Sequence, residues 1–359
     1  MNNYKTKIIL SGGGTGGSVV PLLALYDQLK NQTNLEFIWL GTRGGIEEKM
    51  IASENIPYHA ISSGKLRRYF SLQNLIDIFI IIFAFFESFV FLIQQKPKLI
   101  ISAGSFVSVP SVWAAWILRI PVLIHQQDVR AGLANKLMAP FANIITVTFE
   151  SSLSDYGKKA IWTGNPVRNQ LASLNINREE AKKYFNINSD KPVIFVVGGG
   201  TGAIALNELI ISSLNKLIPH CEIIHVFGKG KGDDTKIEGY HAYEFLDSLG
   251  MTNAYAISNL VISRCGLGIL TELSKLGKAS ILIPMPDSHQ EDNAKVFTDN
   301  KAAIVFNQKD LNSEKFSKEI LDLLNNTELK NKLSENIKKV IKKEASEEIV
   351  KIIKQKFFI

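Results

Sequence analysis

Two kinds of apolar pattern alternate along the chain. Residues 7–11 (K-I-I-L-S), 37–40, 99–102, 121–125 and 144–148 are short, nearly continuous apolar runs. Between the first two, residues 19–30 place their apolar positions on one helical stripe. Continuous runs of that length suit strands buried on both faces, and their alternation with helices predicts βαβ units around a parallel sheet. The alternation restarts at 192–197 (P-V-I-F-V-V) and continues through 223–227, 260–263 and 280–283. The expected fold class is therefore α/β, with two Rossmann-like parallel-sheet domains.

The restart is marked by a repeated loop. G-G-G-T-G-G at 12–17 and G-G-G-T-G-A at 198–203 lie 186 residues apart, each after an apolar run and before a helical one. G-N-P-V-R at 164–168 interrupts the pattern and is the expected linker, giving domains 1–165 and 166–340. From about 313 onward the chain is rich in Lys, Glu and Leu and reads as helices. A length of 359 residues suits two cores rather than one.

The segment 75–93 breaks the cytosolic pattern, because Asp77 and Glu87 are its only charges in 19 residues. It could nearly span a bilayer. At 100° per residue the two carboxylates lie about 80° apart, on one polar edge, as an in-plane membrane helix requires. A buried helix of the first domain would show the same composition. Lys65, Arg67 and Arg68 precede it, and residues 1–165 carry 15 Lys/Arg against 10 Asp/Glu, whereas the remainder is nearly balanced at 26 against 24. An anionic membrane surface and nucleic acid both fit that excess. Cys221 and Cys265 lack metal or redox spacing, and the polar first residues lack a secretory core, so a reducing cytoplasm is expected.

Glycine loops between strand and helix present backbone N–H groups at a helix N-terminus, which favours a diphosphate. A ligand-free turn would use the same glycines. A more specific array is I-S-R-C-G-L-G-I-L-T-E at 262–272 followed by P-M-P-D-S-H-Q-E-D-N at 284–293. It combines a helix start near Leu267, a cation at Arg264, a carboxylate at Glu272 suited to ribose hydroxyls, and the amides of Gln290 and Asn293 suited to sugar hydroxyls. No D-x-D pair occurs, so a metal-bound diphosphate is not indicated.

In these motifs the chain resembles the bacterial N-acetylglucosaminyltransferases that convert lipid I to lipid II, the MurG family. The matching stretches are G-G-T-G-G at 13–17, G-T-R-G-G-I-E at 41–47, S-G-K-L-R-R-Y at 63–69 and G-S-F-V-S-V-P at 104–110. H-Q-Q-D at 125–128, A-G-L-A-N-K at 131–136, G-N-P-V-R at 164–168, G-G-G-T-G-A with Asn207, S-R-C-G, T-E-L, P-M-P and Q-E-D-N-A follow in order over both halves. The resemblance implies a GT-B fold, with an acceptor- and membrane-binding first domain facing a UDP-sugar-binding second domain across a cleft. It also implies that residues 341–359 form a helix packing back on the first domain.

The roles carry over residue by residue. Thr15, Gly16 and Gly17 are similar to the loop at the sugar-diphosphate and acceptor side. Arg168 and Gly200 match diphosphate and uridine contacts, and Leu246 a backbone contact to uracil. Leu267, Gly268, Ile269, Leu270, Thr271 and Glu272 match the helix start under the diphosphate, with Glu272 on the ribose. Gln290 matches a reader of N-acetylglucosamine hydroxyls, with Asn293 beside it. Lys65, Arg67, Arg68, Leu75, Phe79, Phe83 and Phe86 match a membrane-docking patch.

Four positions depart from the family pattern. Ser18 stands for His, Gln126 and Asp128 stand for Glu and Asn, and Gly200 stands for Ser. With no His at 18, the candidates for the base that deprotonates the attacking hydroxyl are His125, which could instead be a packed strand-end residue, and Asp128, which could instead cap a helix or contact the donor sugar. The implied reaction is an inverting transfer from UDP-N-acetylglucosamine to the N-acetylmuramyl 4-hydroxyl of lipid I, at the cytoplasmic face of the plasma membrane. It needs no cofactor, no metal and no nucleic-acid partner. Two alternatives stay open: another lipid acceptor on the same fold, or a sugar-nucleotide-binding relative without catalysis.

Overall fold

The computed structural model describes residues 5–64, 73–168, 176–199, 203–232 and 237–357, with side chains from residue 77 onward in the helix that begins at 73. The chain divides into two compact units: residues 1–168 with 344–359, and residues 169–343.

The first unit is built on β1 (Thr6–Ser11), β2 (Leu35–Thr42), β3 (Tyr58–Ile61), β4 (Leu99–Ser102), β5 (Val122–Gln126), β6 (Ile144–Val147) and β7 (Ala160–Trp162). Their order is β3-β2-β1-β4-β5-β6-β7, and every pairing is parallel. The helices α1 (Gly16–Leu29), α2 (Ile46–Ala52), α3 (Gln73–Gln95), α4 (Ser108–Ile117), α5 (Leu133–Met138) and α6 (Leu153–Tyr156) provide the crossovers. One sheet face packs Ile8, Leu10, Trp39 and Ile101 under Leu22 and Leu25 of α1. The other face packs Ile9, Ile100 and Ile124 under Val112 and Ala115 of α4 and under Phe91 and Leu92 of α3.

The second unit contains α7 (Arg178–Tyr184), β8 (Val193–Val197), α8 (Ile204–Leu217), β9 (Glu222–Val226), β10 (Tyr240–Tyr243), α9 (Ser248–Ile257), β11 (Leu260–Ser263) and α10 (Leu267–Leu276). It continues with β12 (Ser280–Leu282), α11 (His289–Asp299), β13 (Ile304–Val305), α12 (Ser313–Asn325) and α13 (Thr327–Val340). Its parallel sheet runs β10-β9-β8-β11-β12-β13. The last helix, α14 (Ala345–Phe357), returns to the first unit, where Ile349, Ile352 and Ile353 join the core beside α1.

Both sheets reverse their strand order once, between β1 and β4 and between β8 and β11. The crevice outside the carboxyl ends of the strands at such a reversal is where open α/β sheets take ligands. Helix starts differ in how they are capped. The helices α7, α9, α11 and α12 begin on side-chain caps from Asn177, Asp247, Ser288 and Asn312. The helices α1, α8 and α10, which follow β1, β8 and β11, begin at Thr15, Ala203 and Gly266 with no side-chain cap among the described residues, as do α2, α4 and α5. Their leading N–H groups await a partner from elsewhere.

Candidate functional site

In the second unit the site grows from the turn between β11 and α10. Gly266 and Gly268 face open space, so a β-carbon on either would touch no described atom. Glycine there is not demanded by packing, and it lets a ligand approach the backbone. No acidic residue stands in the first turn of α10. Leu267, Leu270 and Thr271 turn into the core, and the Thr271 hydroxyl bonds back to Leu267 O at 2.8 Å. What this helix start offers outward is therefore backbone.

Two amides hold the turn. Gln290 Oε1 accepts from Cys265 N and Met285 N, both at 3.1 Å, while Asn293 Nδ2 donates to Cys265 O at 3.3 Å. Asn293 is fully buried, which corrects its expected place against sugar hydroxyls: it is a brace for the turn. With the oxygen of Gln290 engaged, its Nε2 is the end left to donate.

Glu272 lies one turn into α10. Tyr255 Oη donates to its Oε2 at 2.6 Å, and burial pushes its carboxyl up to about 7. Leu246 is buried behind the exposed Phe245, and its backbone leads into α9, where Asp247 Oδ1 accepts from Gly250 N at 2.8 Å.

Both expected cations turn away. Arg264 is buried, with Nη1 donating to Ile283 O (3.0 Å) and Pro284 O (3.2 Å) and Nη2 to Gln308 Oε1 (2.5 Å). It ties β11 to the loop after β12 rather than presenting its charge to a diphosphate. Arg168 is clamped in the first unit, with Nε 2.7 Å from Asp27 and Nη1 2.8 Å from Glu54. Asp27 lies eleven residues beyond the start of α1, roughly 16 Å along the helix axis from the glycine loop. In this arrangement Arg168 is a clamp for the chain leaving the first unit. Gly200 lies outside the described residues.

In the first unit Thr15 and Gly17 are exposed and Gly16 half-buried, at the uncapped start of α1. Ser18 is buried and donates to Gly13 O at 3.0 Å and to Thr15 O at 3.2 Å, so its hydroxyl closes the loop upon itself. At the same crevice Ser108 Oγ, at the start of α4, donates to Ser11 O at 3.0 Å.

His125 is fully buried. Its Nδ1 pairs with Thr146 Oγ1 at 3.0 Å and its Nε2 with Asn165 Oδ1 at 3.1 Å, and burial lowers its pKa to about 4. Neither nitrogen faces solvent, which corrects its candidacy as a base: the ring laces β5, β6 and the loop after β7. Asp128 is half-buried. Its carbonyl accepts from Gln126 Nε2 at 2.6 Å, and Gln126 Oε1 accepts from Asn135 Nδ2 (2.5 Å) and Tyr156 Oη (3.0 Å). A glutamate at 126 has no N–H to give that carbonyl, so Gln126 sets the Asp128 turn through its amide nitrogen.

Along α3, Phe79, Phe83 and Phe86 are 72, 60 and 58 % exposed, and Val90 and Ile93 extend the stripe. Trp116 and Ile117 of α4 are exposed as well. Glu87 is not spent on solvent: its Oε2 accepts from Ser62 N at 2.7 Å, holding the strand exit that leads to residues 65–68. Lys65, Arg67, Arg68 and the side chain of Leu75 lie outside the described residues.

Comparison with known proteins places these features in a family. Residues 8–147 match the glycosyltransferase family 28 N-terminal domain, and residues 193–351 its C-terminal domain. A UDP-N-acetylglucosamine–N-acetylmuramyl-(pentapeptide) pyrophosphoryl-undecaprenol N-acetylglucosamine transferase of Clostridium perfringens is 40 % identical over 332 residues, covering 90 % of this chain and 92 % of its own. The enzyme of that name from Legionella pneumophila is 38 % identical over 357 residues, covering 97 % and 96 %. Among solved structures, Acinetobacter baumannii MurG superposes with a TM-score of 0.79 at 26 % identity, covering 98 % of this chain and 99 % of that one. With both domains matched in order and relatives this similar over nearly the whole length, the chain belongs to glycosyltransferase family 28, in the branch of the MurG N-acetylglucosaminyltransferases.

Proposed function

We propose that the protein transfers N-acetylglucosamine from UDP-N-acetylglucosamine to the N-acetylmuramyl 4-hydroxyl of lipid I, forming lipid II at the cytoplasmic membrane surface. The observation that carries the donor half is the uncapped start of α10, with open glycines at 266 and 268 and the Glu272 carboxylate one turn on. Backbone N–H groups at Leu267, Gly268 and Ile269 receive the diphosphate, and the helix dipole stabilises the charge that develops as UDP leaves. Glu272 accepts from the ribose hydroxyls, the Leu246 backbone meets uracil, and Gln290 donates its Nε2 to the sugar.

The acceptor hydroxyl oxygen attacks the anomeric carbon, the bond to the UDP oxygen breaks with its electron pair, and the anomeric configuration inverts. The proton passes to Asp128, the remaining base candidate once His125 is seen to be enclosed. The lipid acceptor is met by the first unit, with Thr15, Gly16 and Gly17 at its sugar. The aromatic stripe of α3 lies in the interface of the membrane that holds the acceptor; this reading is peripheral and in-plane.

The test is turnover of UDP-N-acetylglucosamine with a lipid I analogue, beside diacylglycerol and an unrelated polyprenyl diphosphate sugar. Transfer to the lipid I analogue alone is expected. Transfer only to another acceptor, or UDP-sugar binding without transfer to any, would overturn the reading.

A further inference from the structure

We propose that Glu47 is a positioning residue for acceptor transfer: its carboxylate, seated beneath the glycine loop that leaves β1, fixes the conformation in which Thr15, Gly16 and Gly17 meet the acceptor. The inference rests on reading the first unit as the acceptor-binding half.

Glu47 stands in the first turn of α2 and is fully buried. No Lys or Arg pairs with it among the described residues; its partners are neutral donors. Oε2 accepts from Gly14 N at 2.9 Å, and Oε1 accepts from Thr42 N at 2.8 Å and from the Thr42 hydroxyl. Burial pushes its carboxyl up, but the Thr42 hydroxyl and the Gly14 and Thr42 N–H groups more than offset this, leaving it below its ordinary value and ionised at neutral pH.

Two glycines are shaped around this anion. A β-carbon on Gly13 would lie 2.2 Å from Oε1, and one on Gly45 would lie 2.4 and 2.5 Å from the two carboxylate oxygens. Gly14 has φ +75°, which turns its N–H down onto Oε2. The neighbouring carbonyls are taken too: Gly12 O accepts from Trp39 Nε1 at 3.0 Å, and Gly13 O from Ser18 Oγ at 3.0 Å. With the inward groups of the loop engaged, Thr15, Gly16 and Gly17 are the part that faces outward.

Glutamine cannot replace this group, although it matches the shape. Each carboxylate oxygen faces a backbone N–H, so either amide orientation sets an NH2 group against a donor. In Glu47→Gln, kcat for acceptor transfer is expected to fall roughly 10–100-fold, the scale of a displaced reacting group. UDP dissociation constants, set in the other unit, should change less than about twofold. Gly45→Ala, which crowds the carboxylate while keeping its charge, should move kcat in the same direction. Glu48→Gln, which alters the exposed neighbour bonded to Gly44 N, should leave kcat unchanged.

A Glu47→Gln protein with unaltered melting temperature and unaltered kcat overturns the proposal. If that variant does not fold, wild-type kcat in Gly45→Ala overturns it instead. A wild-type protein that binds UDP-N-acetylglucosamine but is inert toward every lipid acceptor would sink the functional reading. Hydrogen exchange at the Gly14 amide, faster in Glu47→Gln, would still report the clamp in that case.

Discussion

The loops leaving β1 and β11 solve one geometric problem, a parallel strand handing over to a helix at a strand-order reversal, with different chemistry. Under the first loop lies a buried carboxylate, Glu47, that takes an N–H of the loop for itself. The second is held by the neutral amides of Gln290 and Asn293, and no acid stands in the first turn of its helix. A negative charge behind a loop disfavours a second anion in front of it, whereas amides leave the helix N-terminus electropositive. An anion is therefore favoured in front of the second loop more than in front of the first.

The largest expected effect separates the two candidate bases. Asp128→Asn should lower kcat by roughly 10²–10⁴ with UDP affinity unchanged, the usual range for losing a general base. His125→Ala should act through the fold, costing about 1–3 kcal/mol as Thr146 and Asn165 lose a buried partner. Steady-state kinetics beside thermal melts distinguish these outcomes, and a full kcat loss in a stably folded His125→Ala protein would reverse the assignment.

Glu272→Ala should weaken UDP-N-acetylglucosamine binding by about 1–3 kcal/mol in calorimetry. Unchanged affinity would remove the carboxylate from the donor site and dissolve the contrast between the units. A comparable effect is expected at the membrane. Phe83→Ser should reduce flotation on vesicles by up to about 1.5–3 kcal/mol in binding free energy, the scale for burying such a side chain. That loss should persist at high salt, unlike the share owed to cations.

The smallest effect is a pH dependence. Ribose hydroxyls favour the ionised form of Glu272, whose carboxyl in the free protein is pushed up to about 7. Binding therefore expels a proton, and affinity for UDP-N-acetylglucosamine should climb at most about tenfold from pH 6 to pH 8, then level off. The same upward shift means that folding favours the protonated carboxyl, so the unliganded protein loses stability as pH rises through 7. Calorimetry in buffers of different ionisation enthalpy reads the released proton, and pH-independent binding would contradict this account.

Interior strands were legible because both of their faces are covered, which writes a continuous apolar run into the chain. The strands that escaped sequence reading are the four sheet edges: β3 (Y-H-A-I), β7 (A-I-W), β10 (Y-H-A-Y) and β13 (I-V). Each is half-covered and short, so its composition resembles that of a loop. The glycine turn and helix start after β11 were legible because the backbone there is written as G-L-G behind an apolar strand. Side-chain assignments failed where direction decides: Arg264, Asn293 and His125 have the right chemistry at the right strand ends but turn inward as braces. Glu47 had a readable trace in G-G-I-E at 44–47, glycines beside an acid, but only the fold brings that acid under Gly14.

The return of α14 to the first unit has a consequence for synthesis. The second unit is one unbroken stretch of chain, whereas the first is interrupted by all of it. On the ribosome, residues 1–168 emerge early but wait for Ile349, Ile352 and Ile353 before the core beside α1 is closed, a contribution of about 1.5–3 kcal/mol per side chain. The unit made later can therefore reach its final form sooner, reversing the usual N-to-C order of domain completion. A nascent chain stalled before α14 should bind UDP while its first unit remains sensitive to protease.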